Sequence, residues 1–209
     1  MPTITSIEPQ KKDKDWFNIF LDGKFAFSLP AVALAKAGLL VNQEISSDRM
    51  DTLVKEGEFS LTFDKVLKFL SFRPRSEFEI KDYLVRKKVG EETTKLVLEK
   101  LKVLNFIDDR EFVKWWVEQR SGLKPKGARL VKMELKRKGI SPELIDEFLS
   151  GRTSENETIL AEKLALKKWE RIKNLSPGEV KRKLFSTLLQ KGFSYEVAGK
   201  TVDNLLKKE

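Results

Sequence analysis

The side chains available for chemistry are carboxylates, amines, guanidiniums and hydroxyls, because the 209 residues include no histidine and no cysteine. Without cysteine there is no thiol nucleophile, no disulfide and no thiolate ligand for zinc or an iron–sulfur cluster. Without histidine there is no imidazole base near neutral pH and no zinc site of the common kinds. We therefore expect a protein that acts by binding, with no catalytic residue, no cofactor and no metal site.

Two short motifs resemble enzyme motifs, and the sequence around each argues against catalysis. Ser121 and Lys124 have a Ser-x-x-Lys spacing, but they come at a predicted helix end with no companion motif. Ser194–Thr201 approaches a phosphate-binding loop but lacks its first glycine and begins a predicted helix. Glu196, inside that segment, would repel a phosphate group. Neither motif changes the expectation of a non-enzyme.

Positive charge is concentrated after residue 59. Residues 1–59 carry 7 Lys and Arg against 9 Asp and Glu, a net charge of −2. Residues 60–209 carry 34 against 23, a net charge of +11. Such a cationic body favours contact with a polyanion, either nucleic acid or an acidic protein surface. The alternative is that the charges only keep helical faces solvated.

The clearest cationic stripe lies on a helix predicted for residues 126–138. With roughly 3.6 residues per turn, Ala128, Val131 and Leu135 share a sector that would face a core. The opposite sector carries Arg129, Lys132 and Lys136. Such a stripe suits phosphates or a carboxylate-rich groove, and a solvated face is again the alternative.

The first 59 residues predict a small α+β domain that begins with three strands. Apolar residues alternate over Thr3–Glu8, over Phe17–Leu21 and over Phe25–Leu29. Asp22-Gly23 separates the second run from the third and predicts a β-hairpin with a type I′ turn, whose two central residues need positive φ.

Two helices are predicted to complete this head. The first covers Ala31–Ala37 and ends at Gly38, a residue suited to the left-handed end of a helix. The second begins at Ser46 or Ser47, both good N-cap residues, and ends at Gly57.

From residue 60 onward the pattern is helical, and capping motifs mark the helix starts. Asp108 and Asp109 could suggest a metal site, but an N-cap and a charge in the first helical turn explain the pair better. The four starts are Ser76 with Glu79, Asp108 with Glu111, Ser154 with Glu157, and Ser176 with Glu179.

The helical body repeats three times. Leu84–Glu92, Leu135–Glu143 and Leu188–Glu196 each read as a helix end, basic residues, one apolar residue, an N-cap and an acidic first turn. The spacing between copies is 51 and then 53 residues. A helical unit of this length predicts tandem three-helix modules that stack along the chain.

Basic clusters fall at comparable places in the three modules. A row of basic patches at a fixed repeat would fit a regular, lattice-like partner such as a filament, and ionic binding of this kind weakens steeply with salt. The predicted partner-contacting or DNA-contacting residues are Arg73, Arg75, Arg86, Lys87, Lys88, Lys126, Arg129, Lys132, Lys136, Arg137, Lys138, Lys181, Arg182, Lys183 and Lys191.

Several segments of the helical body together match a known family in their order and spacing. They are Arg73–Ile80, Leu104–Asp109 with Phe112, Trp116, Val117 and Arg120, then Glu134–Ile140 and Gln190–Phe193. On these segments, residues 60–206 resemble the RecX family, regulatory proteins that modulate the RecA recombinase. The head resembles an N-terminal extension that some members carry. Two positions depart from the pattern: Lys88 stands where the other two copies have glycine, and Ile80 stands where leucine is commoner.

The fold we predict is mostly α. The resemblance implies three tandem three-helix repeats in an elongated array, preceded by a small α+β N-terminal domain with a β-hairpin. The predicted domains are residues 1–59 for the head and 60–109, 110–153 and 154–209 for helical repeats 1, 2 and 3.

The function that the resemblance implies is that of a non-enzymatic regulator. It would bind the RecA–DNA filament, block its extension and lower its ATPase, strand exchange and co-protease activity, contacting DNA weakly or through the filament. The alternative is a helix-turn-helix protein that binds DNA without the recombinase. We expect a cytoplasmic monomer without a membrane span, since the longest uncharged run, Phe25–Ala35, is broken by Pro30.

Overall fold

The computed structural model describes residues 1–122, 124–151 and 154–207, and within them the chain forms three strands and ten helices. The prediction of a mostly helical chain with a small α+β head is confirmed. The strands are β1 (Ile4–Pro9), β2 (Trp16–Leu21) and β3 (Lys24–Pro30). The helices are α1 (Ala31–Ala37), α2 (Ser47–Leu70), α3 (Glu77–Arg86), α4 (Glu91–Val103), α5 (Asp109–Ser121), α6 (Ala128–Arg137), α7 (Pro142–Ser150), α8 (Ser154–Trp169), α9 (Pro177–Gln190) and α10 (Tyr195–Lys207).

The three strands form one antiparallel sheet in the order β1-β2-β3. Asp22 and Gly23 join β2 to β3 with φ of 48° and 76°, so the predicted hairpin turn with two positive φ values is confirmed. The sheet places Ile19 and Leu29 in a fully buried core with Leu53 of α2. Helix α1 also ends as predicted, with Gly38 at φ 62° capping it.

Helix α2 is longer than the sequence pattern predicts. It begins after Ser46, whose side chain accepts a hydrogen bond from Arg49 N, and it runs without interruption to Leu70. The predicted end at Gly57 is therefore wrong. A Cβ on Gly57 would lie 2.2 Å from the carbonyl oxygen of Ser28 in β3. Gly57 is thus explained by the close approach of α2 to the sheet rather than by a helix end.

The predicted repeat is visible in the backbone of three matching turns. Lys88, Gly139 and Gly192 all adopt the left-handed conformation, with φ of 58°, 74° and 88°. Each turn closes with a hydrogen bond from the next residue's N–H to a carbonyl five residues earlier, as from Ile140 to Leu135. The matching core positions are all buried: Ile80 with Leu84, Val131 with Leu135, and Leu184 with Leu188.

The chain divides into two compact units. One comprises Met1–Arg73 and Lys81–Phe106, and the other comprises Pro74–Ile80 and the chain from Ile107 onward. In the second unit, α5, α6 and α7 pack around one core and α8, α9 and α10 around another. We call these two groups of helices the second and third modules. The predicted domain boundaries stay predictions.

Capping contacts begin the helices as the sequence suggests. Glu79 N donates to the Ser76 hydroxyl at 3.2 Å, and Asp108 accepts from Arg110 N at 2.7 Å. The Glu179 carboxylate accepts from the Ser176 N–H at 3.2 Å. The predicted cap at Ser154 falls on a side chain outside the described part of the chain.

Two carboxylates satisfy helix N-termini across the junctions of the second unit. The first N–H groups of a helix have no acceptor within that helix. Glu77 N, at the start of α3, donates to Asp109 at 2.8 Å, and Ala128 N, at the start of α6, donates to Glu157 at 3.1 Å. The two donors are equivalent repeat positions, 51 residues apart. In both cases the acceptor belongs to the first turn of the next module's first helix.

The left-handed turns pack against the same helix starts. The carbonyl of Lys138 accepts from the Ser76 hydroxyl at 2.7 Å, and that of Lys191 accepts from Gly127 N at 2.9 Å. A Cβ on Gly192 would lie 2.6 Å from the backbone nitrogen of Leu130. A side chain therefore does not fit at this turn, and the glycine is required by packing as well as by φ.

We predict that Gly57→Ala destabilises the protein by about 1–3 kcal/mol, although alanine ordinarily stabilises a helix interior by about 1 kcal/mol. The added Cβ would overlap the Ser28 carbonyl, so α2 and the sheet would have to separate. Urea unfolding followed by circular dichroism measures the free energy of unfolding.

The matched control is Gly178→Ala in the first turn of α9, where no described atom beyond the adjoining residues and the helix's own backbone lies within 4 Å of the new Cβ. This variant should keep or slightly raise the free energy of unfolding, because only the helix propensity changes. If Gly57→Ala behaved like the control, the close contact between α2 and β3 would not constrain the fold.

Candidate partner-binding surface

Helix α6 carries the predicted cationic stripe, but it begins later than predicted. Gly127 is its N-cap in an extended conformation, so the helix starts at Ala128 and Lys126 precedes it. Of the three residues predicted to face the core, Val131 and Leu135 are fully buried and Ala128 is half-buried, so the core face is confirmed at two of its three positions. The start is fixed by the junction, since the Gly127 N–H is held by the turn of the next module.

Lys126 belongs to an internal charge cluster rather than to an open surface. Its ammonium contacts the Glu134 carboxylate, which also accepts from Arg120 Nε at 2.7 Å and from the indole N–H of Trp116 at 3.0 Å. Burial raises the pKa of the Glu134 carboxyl, but the hydrogen bonds from Lys126 and Arg120 outweigh burial, so the pKa lies below its ordinary value. The cluster joins α5, α6 and the segment between them.

Lys138 is also used inside the second unit. Its ammonium lies 2.6 Å from the Glu79 carboxylate and 5.2 Å from the centre of the Trp116 ring, and the Arg120 guanidinium lies 4.0 Å from the same ring centre. Arg75 lies 3.8 Å from the same Glu79 carboxylate. Lys126, Lys138 and Arg75 expose only 26%, 24% and 16% of their side chains, so they contribute mainly to packing and charge balance here.

The exposed face of α6 carries cations that differ in how far their charge is compensated. Lys132 of the predicted stripe contacts Asp146 of α7, which compensates its charge. Arg129, Lys136 and Arg137 are exposed, and no ion pair forms to them from the described residues. We call these three residues the α6 patch. They are the part of the stripe whose charge is available to a partner.

The basic residues around α3 are arranged differently. Arg86 pairs with Asp82 on the same helix at 2.8 Å, and Lys87 lies 5.8 Å from the centre of the Tyr83 ring. Lys88 is exposed in the left-handed turn, while Arg73 is half-buried. The charge around α3 is therefore partly compensated within the helix itself.

The structure separates the predicted cluster Lys181, Arg182 and Lys183 into two environments. Lys181 pairs with Asp203 of α10 at 2.9 Å. Arg182 and Lys183 instead line a groove of about 500 Å³ together with Lys168 of α8. Lys191 is exposed at the turn after α9.

Sequence reasoning missed several residues of this groove. Ser186, Thr187 and Gln190 follow Arg182 at helical spacing and could have been found from the periodicity of α9. Lys168 comes from another helix, and only the packing of α8 against α9 brings it there.

Four family models match successive parts of the chain. They are the regulatory protein RecX N-terminal domain at residues 2–46 and the first, second and third three-helix domains of RecX at residues 63–101, 108–149 and 155–201. The regulatory protein RecX of Clostridium beijerinckii is 34% identical over 99% of this chain and 97% of its own length. This chain belongs to the RecX family.

Further relatives agree with this membership. The regulatory protein RecX of Bacillus subtilis is 34% identical over 98% of the chain and 78% of its own length. A crystal structure of regulatory protein RecX aligns with a TM-score of 0.71 at 30% identity, covering 97% of this chain and all of the other. The crystal structure of RecX from Lactobacillus salivarius aligns with a TM-score of 0.62 at 26% identity, covering 73% of this chain and 98% of the other. A regulatory role and a fold with three RecX-type helical domains follow from membership in the family.

Two absences hold for the described residues. No helix among them is both long and apolar enough to span a membrane. Within the same residues, no group of three or more acidic side chains is placed to hold a metal ion.

We predict that Glu134→Gln lowers the free energy of unfolding by about 1–3 kcal/mol at neutral pH, because Arg120 and Lys126 lose their shared carboxylate. The pKa of Glu134 is lowered in the fold, so its contribution is present above the ordinary value of 4.5 and is lost as the pH falls through the folded value. The difference between wild type and variant, measured by urea unfolding, should therefore shrink as the pH falls below 4.5.

Glu147→Gln is the matched control. Its carboxylate accepts from Arg110 in an exposed pair, with about half of each side chain in solvent, so its loss should matter far less. Equal effects of the two substitutions would show that the Glu134 cluster has no special role in stability.

Proposed function

We propose that this chain is a non-enzymatic regulator that binds the filament formed by the RecA recombinase on DNA. Binding would inhibit filament extension, ATP hydrolysis, strand exchange and co-protease activity. The proposal extends the regulatory role of the RecX family to a specific partner, which is the partner that the resemblance in the sequence implies.

The single observation that carries the proposal is the α6 patch. Arg129, Lys136 and Arg137 stay exposed and uncompensated, although neighbouring cations are paired with carboxylates. Position 129 corresponds to Arg182 in the repeat, 53 residues later, and Arg182 is also exposed. Cations that remain unpaired at matching repeat positions suit a partner that is itself regular and negatively charged.

Several finer points belong to the same proposal. The working domains would be residues 1–59, 60–109, 110–153 and 154–209, and the protein would act as a monomer in the cytoplasm. The fifteen basic residues predicted from the sequence would divide into two groups. Those outside the Glu79 and Glu134 clusters would contact the filament, with Arg86, Lys132 and Lys181 contributing less because each is paired with an exposed carboxylate. Those in the Glu79 and Glu134 clusters would instead stabilise the second unit.

The deciding experiment compares inhibition with DNA binding. The chain is titrated into RecA hydrolysing ATP on single-stranded DNA, and its affinity for the same DNA without RecA is measured in parallel. A filament regulator inhibits at concentrations well below those that bind bare DNA, and excess DNA does not abolish inhibition. A helix-turn-helix protein acting on DNA alone gives the reverse order, which would overturn the proposal.

We predict that the triple variant Arg129→Glu, Lys136→Glu and Arg137→Glu raises the concentration needed for half-inhibition by about tenfold or more, because three attractive contacts become repulsive. Circular dichroism should remain that of the wild type, since all three side chains are exposed.

The control changes the charge equally at Lys11, Lys12 and Lys14, three exposed lysines between β1 and β2. Their replacement by glutamate should leave half-inhibition close to the wild-type value. Identical losses in both variants would mean that net charge, and not the α6 patch, determines binding.

A further inference from the structure

The described residues that line a groove in the third module are all cationic or neutral and polar. The groove has a volume of about 500 Å³, and none of these described lining residues carries a carboxylate or an apolar side chain. The lining residues within the described chain are Lys168, Arg182, Lys183, Ser186, Thr187 and Gln190.

The groove follows from how α9 packs. Val180, Leu184 and Leu188 are buried against α8 and α10, which fixes the rotation of α9 about its axis. At this rotation two neighbouring rows of side chains form a strip along one edge of the helix. One row is Arg182, Ser186 and Gln190, and the other is Lys183 and Thr187, each with a spacing of four residues. Lys168, in the last turn of α8, closes the strip from the other side.

Among the described residues, no carboxylate forms an ion pair with the groove cations Lys168, Arg182 and Lys183. The neighbouring Glu179 is engaged elsewhere, because its carboxylate accepts from both the hydroxyl and the N–H of Ser176. Those hydrogen bonds, with smaller contributions from Lys183 and Arg182, lower the pKa of Glu179.

The lining chemistry distinguishes between two kinds of anionic partner. A protein interface has an apolar or aromatic centre in addition to its charged rim, and the groove has none. Contacts to nucleic-acid phosphates and sugars are made by Lys, Arg, Ser, Thr and Gln side chains, which are the types present here. Base recognition by stacking would need an aromatic ring, and no ring lines the groove.

We propose that the groove between α8 and α9 binds the sugar–phosphate backbone of nucleic acid without reading its sequence. Lys168, Arg182 and Lys183 supply charge, and Ser186 and Gln190 supply neutral donors. This deepens the proposed function by assigning the DNA component of the filament to the third module, and its test does not need the recombinase.

The test measures binding of the full chain to a fluorescent single-stranded oligonucleotide of mixed sequence by anisotropy over a range of salt concentrations. The variant replaces Lys168, Arg182 and Lys183 with glutamine. With roughly 0.7 counterions released per phosphate contact on single strands, the slope of log affinity against log salt should fall by about 2. Affinity at low salt should fall by about 10- to 100-fold.

Two further variants make the result specific to the groove. The first replaces three exposed lysines of the same module with glutamine: Lys163, Lys200 and Lys207. It removes the same charge and should leave the slope of log affinity against log salt near the wild-type value. Lys168→Arg with Arg182→Lys and Lys183→Arg keeps the charge and should keep binding. If the groove variant loses no more than the lysine control, the proposal is wrong.

Competition with polyglutamate tests whether the groove prefers phosphate groups to carboxylates. Nucleic acid should displace the labelled strand at a much lower concentration of charge than polyglutamate does. Equal competition would overturn the assignment, since the groove would then accept any polyanion. The proposed function is judged separately from inhibition of ATP hydrolysis by RecA, so either proposal can fail while the other stands.

Discussion

The N-terminus of a helix presents backbone N–H groups that its own turns cannot satisfy, and this chain meets the need with carboxylates from the following module. Asp109 accepts from the start of α3, and Glu157 accepts from the start of α6. Each contact brings a left-handed turn against the same helix start, where Gly139 and Gly192 leave no room for a side chain. The relation between successive helical segments in the second unit depends on these junctions.

The junctions also explain why one turn of the repeat differs. Lys88 adopts the same left-handed conformation as the two glycines, and its side chain is exposed. The turn itself therefore tolerates a Cβ, and glycine is required only where another helix start lies against it. At the start of α9, the Ser176 N–H and hydroxyl donate to Glu179, a carboxylate in the first turn of the same helix.

Internal pairing divides the basic residues of this RecX-family chain into two classes. Glu79 and Glu134 each pair with two cations, and one cation of each pair lies close to the Trp116 ring, which stabilises the second unit. The cations of the α6 patch and of the third-module groove form no ion pair with the described residues, and these are the cations that we propose contact a partner. A net charge counted from the sequence cannot separate these classes, because a salt bridge depends on which carboxylate the fold brings within reach.

The sequence by itself determined the helices and turns whose causes are local: the Asp22-Gly23 hairpin, the capping serines and the repeat with its buried leucines. These follow from φ preferences, hydrogen bonds within a few residues and helical periodicity. Only the tertiary structure decided that Gly57 lies inside a helix, that Lys126 faces Glu134 and that Lys168 joins Arg182. Each of these depends on how two separate segments pack together, and the residues next to a position in the chain do not specify what packs against it.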